Sequence, residues 1–90
     1  MSMSHANNPK ILSRMRRAQG HLASVVRMVE EGRDGVTIAQ QMSAVIQALD
    51  KAKGVLILDH IEHHLEEVVG PLPRDARERL AGLGELARYL

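Results

Sequence analysis

Ninety residues with a formal net charge of +1 allow one small domain, and so short a chain buries only a modest core, so association with copies of itself is expected. A hydrophobic content of 44% with 26% charged residues excludes a disordered chain; with no Phe or Trp and a single Tyr, Tyr89, the core must be aliphatic. The absence of cysteine excludes disulfides and thiolate metal sites, and the lack of a signal-like or long apolar run points to the cytoplasm and away from a membrane.

Residues 1–7 have no periodicity and read as a flexible arm on a single domain spanning 1–90. Asn8-Pro9 follows, a plausible cap with proline in the first turn. From there Ile11, Met15, Ala18, Leu22, Val25 and Val29 recur at steps of four and three, the mark of an amphipathic helix. "EEGRDG" should end it near Gly32. A longer apolar seam then runs through Ile38, Met42, Val45, Leu49, Ala52 and Leu56 and continues, after a shift of one position, through Leu58, Ile61, Leu65 and Val68. A proline-free run of this length makes a rod of about 50 Å, which needs partners along its length and favours an antiparallel helical assembly of several chains. "GPLP" at 70–73 ends it, and a last helix is expected over about 74–89, weakened by Gly82 and Gly84. The pattern is all-α.

Charge is distributed unevenly along these helices. Met1 to Val29 holds five basic residues, Lys10, Arg14, Arg16, Arg17 and Arg27, and no acid; Val55 to Leu90 holds four basic and seven acidic residues. On a helix Lys10, Arg14, Arg17 and His21 form one stripe, with Arg16 to the side. Such a stripe can track the phosphates of a polyanion, nucleic acid being the commonest. The plainer reading is a solvated face, since no turn-plus-recognition-helix pattern accompanies it. Without interleaved aromatics, stacking on single strands is not its expected role.

"LDHIEHHLEE" carries three of the five histidines. His60 and His64, four apart, share a helical face and can share a metal ion; His63 lies about 100° around from His64, more toward solvent, and is a reserve ligand. A nickel, cobalt or zinc ion takes four to six donors, so the remainder must come from another chain or from the arm, where His5 is the available nitrogen. The alternative is a surface pair on an exposed helix. HExxH metalloprotease chemistry is excluded, because Ile61 stands where the glutamate is required. Nothing supplies a nucleophile with an adjacent base or a paired acid and base, so the chain does not read as an enzyme.

The segments "ILSRMRRAQGHLASVVRMVEEGRD", "QQMSAVIQAL", "LDHIEHHL" and "LGELARYL" resemble the CsoR/RcnR/FrmR family of small bacterial transcriptional repressors over essentially the whole chain. The resemblance implies a three-helix chain with a long second helix, an antiparallel four-helix-bundle dimer, and usually a tetramer made of two such dimers. It also implies repression at operator DNA, relieved when a metal or reactive small molecule occupies a site between two chains. Arg14, Arg16 and Arg17 match the family's DNA-contacting first helix. Ile46 replaces an arginine common further along the second helix, and Lys51 and Lys53 are additional cations that can compensate. His60 and His64 match the two ligands of the second helix, in the all-imidazole form of nickel- and cobalt-responsive members, which also recruit an N-terminal histidine. Gly35 stands where the family carries its sensor cysteine, which removes the soft ligand that copper(I) and thiol-directed inducers require.

Two functions follow as expectations. The first is an operator-binding repressor released by Ni(II), Co(II), Zn(II) or Cu(II), none of them required for folding. The second is a helical oligomeric DNA-binding or architectural protein of the same fold that has lost metal sensing or answers to a non-metal inducer.

Overall fold

The computed structural model describes residues 8–89, which hold no strand and fold into α1 (Pro9–Glu30), α2 (Gly35–Val69), α3 (Arg74–Gly84) and a 3₁₀ segment (Glu85–Tyr89), joined by short turns. The three-helix, all-α expectation is met. The arm at residues 1–7, His5 included, lies outside the described residues.

Local chemistry explains the boundaries. The Asn8 side-chain oxygen accepts the backbone N–H groups of Lys10 at 3.0 Å and Ile11 at 3.4 Å, and Pro9 occupies the first turn, where an N–H would have no helical acceptor. Gly32, with φ 68°, makes the left-handed exit from α1. Asp34 then caps α2, accepting the Thr37 N–H at 3.0 Å and its hydroxyl at 3.2 Å. α2 runs for 35 residues, about 52 Å at 1.5 Å per residue, and sets the 54 Å long axis of the molecule. It ends at Gly70, φ 83°, ahead of Pro71 and Pro73. The last expected helix is divided. α-Helical geometry stops at Gly84, where two glycines have lowered the propensity of the final turn, and the tighter 3₁₀ form carries the chain on to Tyr89.

α1 and α2 form an antiparallel hairpin, tied at one level by His21 Nε2 to Gln41 Oε1 at 2.7 Å and at the other by Asn8 Nδ2 to Asp59 Oδ1 at 3.1 Å. The C-terminal segment folds back along α2 so that Gly84 lies against Leu58 and Gly54. Among the described residues only Ile11, Ala18, Val25, Val45 and Ala52 form a buried apolar core. The apolar stripe of α1 is therefore split. Ile11, Ala18 and Val25, spaced by seven, pack on α2, whereas Met15, Leu22 and Val29 remain 46–58% exposed. On α2 likewise, Val45 and Ala52 are covered while Met42, Ile46 and Leu49 are not. Leu12, Met15, Leu22, Val45 and Leu49 line a groove of ≈ 430 Å³ along this open flank.

So much exposed aliphatic surface against so small a core is not what a stable monomer presents. Sedimentation velocity at micromolar concentration is therefore expected to give a multiple of the 10.0 kDa chain mass, with helical circular dichroism lost together with the assembly on dilution. A folded 10.0 kDa monomer would refute this. No helix among the described residues is long and apolar enough to cross a membrane.

Candidate nucleic-acid interface and histidine pair

Two chemistries occupy opposite flanks of α2. On the first, Arg14 and Arg17 of α1 stand beside Lys51 of α2, and Lys10 lies in an adjoining groove with Arg14, Arg17 and Val55. One groove between the helices is lined by Arg14, Arg17, His21, Ala48 and Lys51. A neighbouring crevice of ≈ 190 Å³ joins Arg14 and Lys51 to Leu58, Gly84 and Glu85. The crevice exists because α2 and the C-terminal segment approach closely: a Cβ on Gly54 would stand 3.6 Å from the Gly84 carbonyl oxygen, and one on Gly84 3.4 Å from Leu58.

Pairing sets these cations, along with Arg16, Arg27 and Arg79, apart from four others. Lys53 lies 3.9 Å from Asp50, Arg33 3.8 Å from Glu31, Arg74 3.3 Å from Glu78 and Arg77 3.6 Å from Glu66. Lys10, Arg14, Arg17 and Lys51 have no ion pair among the described residues, so their field is left for an external anion. His21, counted with the stripe, is half-buried and held by Gln41, where it braces the hairpin. Arg16 stands apart, beside Leu12, Met15, Gln19 and Leu49 in the apolar groove. Lys51 and Lys53 diverge, since two helical positions rotate by about 200°.

On the other flank, the rings of His60 and His64 meet edge to face, with centroids 4.4 Å apart and planes at 77°. Both side chains are exposed. Gly35, Met42, Ile46, Leu49, Lys53, His60 and His64 follow one another at steps of seven, four, three, four, seven and four, so the pair continues the uncovered seam of α2. Gly35, at the start of α2, faces open space, with nothing within 4 Å of a Cβ built there.

His63 does not face solvent as the spacing had suggested. It lies on the inner face of α2, at seven- and four-residue steps from Ala52 through Asp59, and its side chain is 28% exposed. Its Nδ1 is buried 3.5 Å from Asp59 Oδ2, within Coulombic reach of a protonated ring but outside hydrogen-bond geometry. Asp59, absent from the sequence-based candidates, is a further polar residue at the site: its side chain is 13% exposed and reaches both Asn8 and His63. Its signal was an acidic residue on the inner stripe that Val45 and Ala52 begin.

His60 and His64 supply two nitrogen donors, and among the described residues no group of three His, Asp or Glu converges as a cation site. By itself the pair is therefore not a complete cation site. It suits borderline divalent ions, and with no cysteine in the chain it does not suit copper(I).

Comparison with known proteins gives the family. Residues 7–89 match the family model for the metal-sensitive transcriptional repressor. The chain belongs to that family. It is a family of repressors rather than enzymes. The copper-sensing transcriptional repressor CsoR of Mycobacterium ulcerans (strain Agy99) is 36% identical over 63 residues, covering 67% of this chain and 54% of that protein. CsoR of Mycobacterium tuberculosis (strain H37Rv) is 37% identical over 51 residues, 57% of this chain and 43% of that protein. An uncharacterized protein in the bioA 5′ region of Serratia marcescens is 31% identical over 65 residues, 72% of this chain and 71% of that protein. The matches span about half the length of the mycobacterial relatives. No solved structure matches the chain.

Proposed function

We propose that this protein is a cytoplasmic transcriptional repressor that binds duplex operator DNA through Lys10, Arg14, Arg17 and Lys51 and leaves it when a divalent metal occupies His60 and His64. The observation that carries the reading is the segregation across α2: uncompensated cations of α1 gathered with Lys51 along one flank, and an imidazole pair on the other. A second copy laid antiparallel on the open seam, centred near Leu49, would cover Met42 and Ile46 and bring its own α2 start toward His60. The donors missing from the pair then come from that copy or from His5, which the chain can deliver, because Asn8 sits against Asp59 and three residues span at most about 11 Å. The working assembly is a dimer, and two dimers pair to present several basic faces to the duplex.

The metal, when bound, supplies a fixed positive centre that holds donors from different segments in one geometry. The chain does the rest. The rings must be neutral to ligate, α2 carries their displacement, and the cations of α1 and Lys51 lose register with the phosphates. The mycobacterial relatives are named for copper; here Gly35 offers no thiolate, so Ni(II), Co(II), Zn(II) or Cu(II) is the inducer. That same glycine favours a second reading, a repressor of this fold without metal response or with a non-metal inducer.

Anisotropy of a labelled duplex, selected by the protein itself from a random-sequence pool, tests both. Expected are an affinity that falls steeply with salt and a further loss of about 5–150-fold on adding one of the four ions. Binding that ignores all four ions supports the second reading, and absence of duplex binding overturns both.

A further inference from the structure

The Asn8 side chain does two jobs with its two ends. Its oxygen caps α1, accepting Lys10 and Ile11 N–H groups, while its nitrogen donates to Asp59 Oδ1 at 3.1 Å across 51 residues of sequence. Capping does not require this. Asp and Ser cap as well as Asn, and a carboxylate would gain from the helix dipole. What only the amide supplies is the N–H that reaches α2. Its acceptor is placed for more than stability: Asp59 directly precedes His60 and stands 3.5 Å from His63 through its other oxygen. The first turn of α1, which opens the basic stripe at Lys10, is thereby held to the turn of α2 that bears the imidazole pair.

We propose that Asn8 and Asp59 are positioning residues whose hydrogen bond transmits occupancy of His60 and His64 to the first turn of α1, and so to Lys10 and Arg14. The proposal rests on the metal-responsive reading above. Coupling between sites needs an element that both sites bias. The tether meets that requirement, since a shift of the His60 turn moves the Asp59 carboxylate, and the N-cap must follow or lose its donor. An unshielded bond at the surface would yield to water, but the Asp59 side chain is only 13% exposed.

The test uses full-length protein in four forms: wild type, Asn8→Asp, Asn8→Ser and the swap Asn8→Asp with Asp59→Asn. Asn8→Asp keeps the cap and sets two carboxylates against each other; Asn8→Ser keeps the cap with a side chain too short to reach. The swap reverses donor and acceptor and restores the bond. For each form, nickel, cobalt, zinc and copper(II) affinity is measured by calorimetry, and duplex affinity by anisotropy with and without saturating metal. Both single variants are expected to bind metal and, without metal, duplex within a few-fold of wild type. Their metal-dependent loss of duplex affinity should shrink from about 5–150-fold to under about threefold, and the swap should recover it. A wild-type ratio in Asn8→Asp and Asn8→Ser would overturn the tether alone and leave metal sensing standing. So would a lost ratio that the swap fails to recover, because the defect would then lie in the packing of α1. If the wild type itself shows no ratio with any of the four ions, the sensor reading falls and the tether's role falls with it.

Discussion

Reversing charge at both Arg14 and Arg17 to glutamate is expected to weaken duplex binding about a thousandfold. Each phosphate neutralised in B-DNA contributes through counterion release, about 1 kcal/mol at physiological salt. Two arginines on each of two symmetry-related chains place about four such contacts at stake, so operator affinity should fall by about three orders of magnitude. The dependence of log affinity on log salt should flatten by about 3.6, at 0.9 per phosphate. Arg14 is half-buried at the crevice that the C-terminal segment helps to form, so Arg14→Gln with Arg17→Gln provides the version that keeps the shape. Arg27, at the far end of α1 and away from both grooves, is the contrast: Arg27→Glu should change affinity far less. Anisotropy titrations across a salt series read all of this, and unchanged affinity and slope in the double glutamate variant would remove the basic face from the mechanism.

The extent to which sequence alone disclosed this molecule depends on how local the determining chemistry is. Asn8-Pro9, "EEGRDG" and "GPLP" marked the ends of α1 and α2 because caps, left-handed glycines and prolines act over a few residues. The division at Gly84 was less legible. Two glycines signal weakness, but not whether the backbone breaks or tightens into a 3₁₀ form. The stripe from Ile11 to Val29 read as one face and is two: periodicity reports that residues are apolar, not whether α2 or another copy covers them. Lys51 and Lys53 read alike in a composition count, and only the direction in which α2 faces α1 separates the cation in the open groove from the one beside Asp50. Asp59 went unnoticed because its partner lies 51 residues away.

Replacing His60 and His64 together by alanine is expected to lower divalent-metal affinity by at least about 100-fold and to leave duplex binding without metal intact. Perturbing groups that merely orient a ligand already costs 10–100-fold in affinity, and this variant removes two ligating nitrogens. Their rings already stand 4.4 Å apart on adjacent turns of one long helix, within reach of one ion. His63→Ala should behave differently, with metal affinity within about tenfold of wild type, since its Nδ1 faces Asp59 on the inner side of α2. Gly35→Cys supplies the converse. With open space around that position, a thiol there is tolerated, and copper(I) affinity should rise because a soft donor now joins the imidazoles. Calorimetry with nickel, cobalt, zinc and copper(II), and competition with a copper(I) chelator for the cysteine variant, measure each outcome. Equal affinities for the wild type and the double alanine variant would reduce the histidine pair to a surface feature of α2. Loss of affinity without any change in metal-dependent release from duplex would leave a metal site that does not regulate, because a ligand shifts an equilibrium only by its differential affinity for the two conformations.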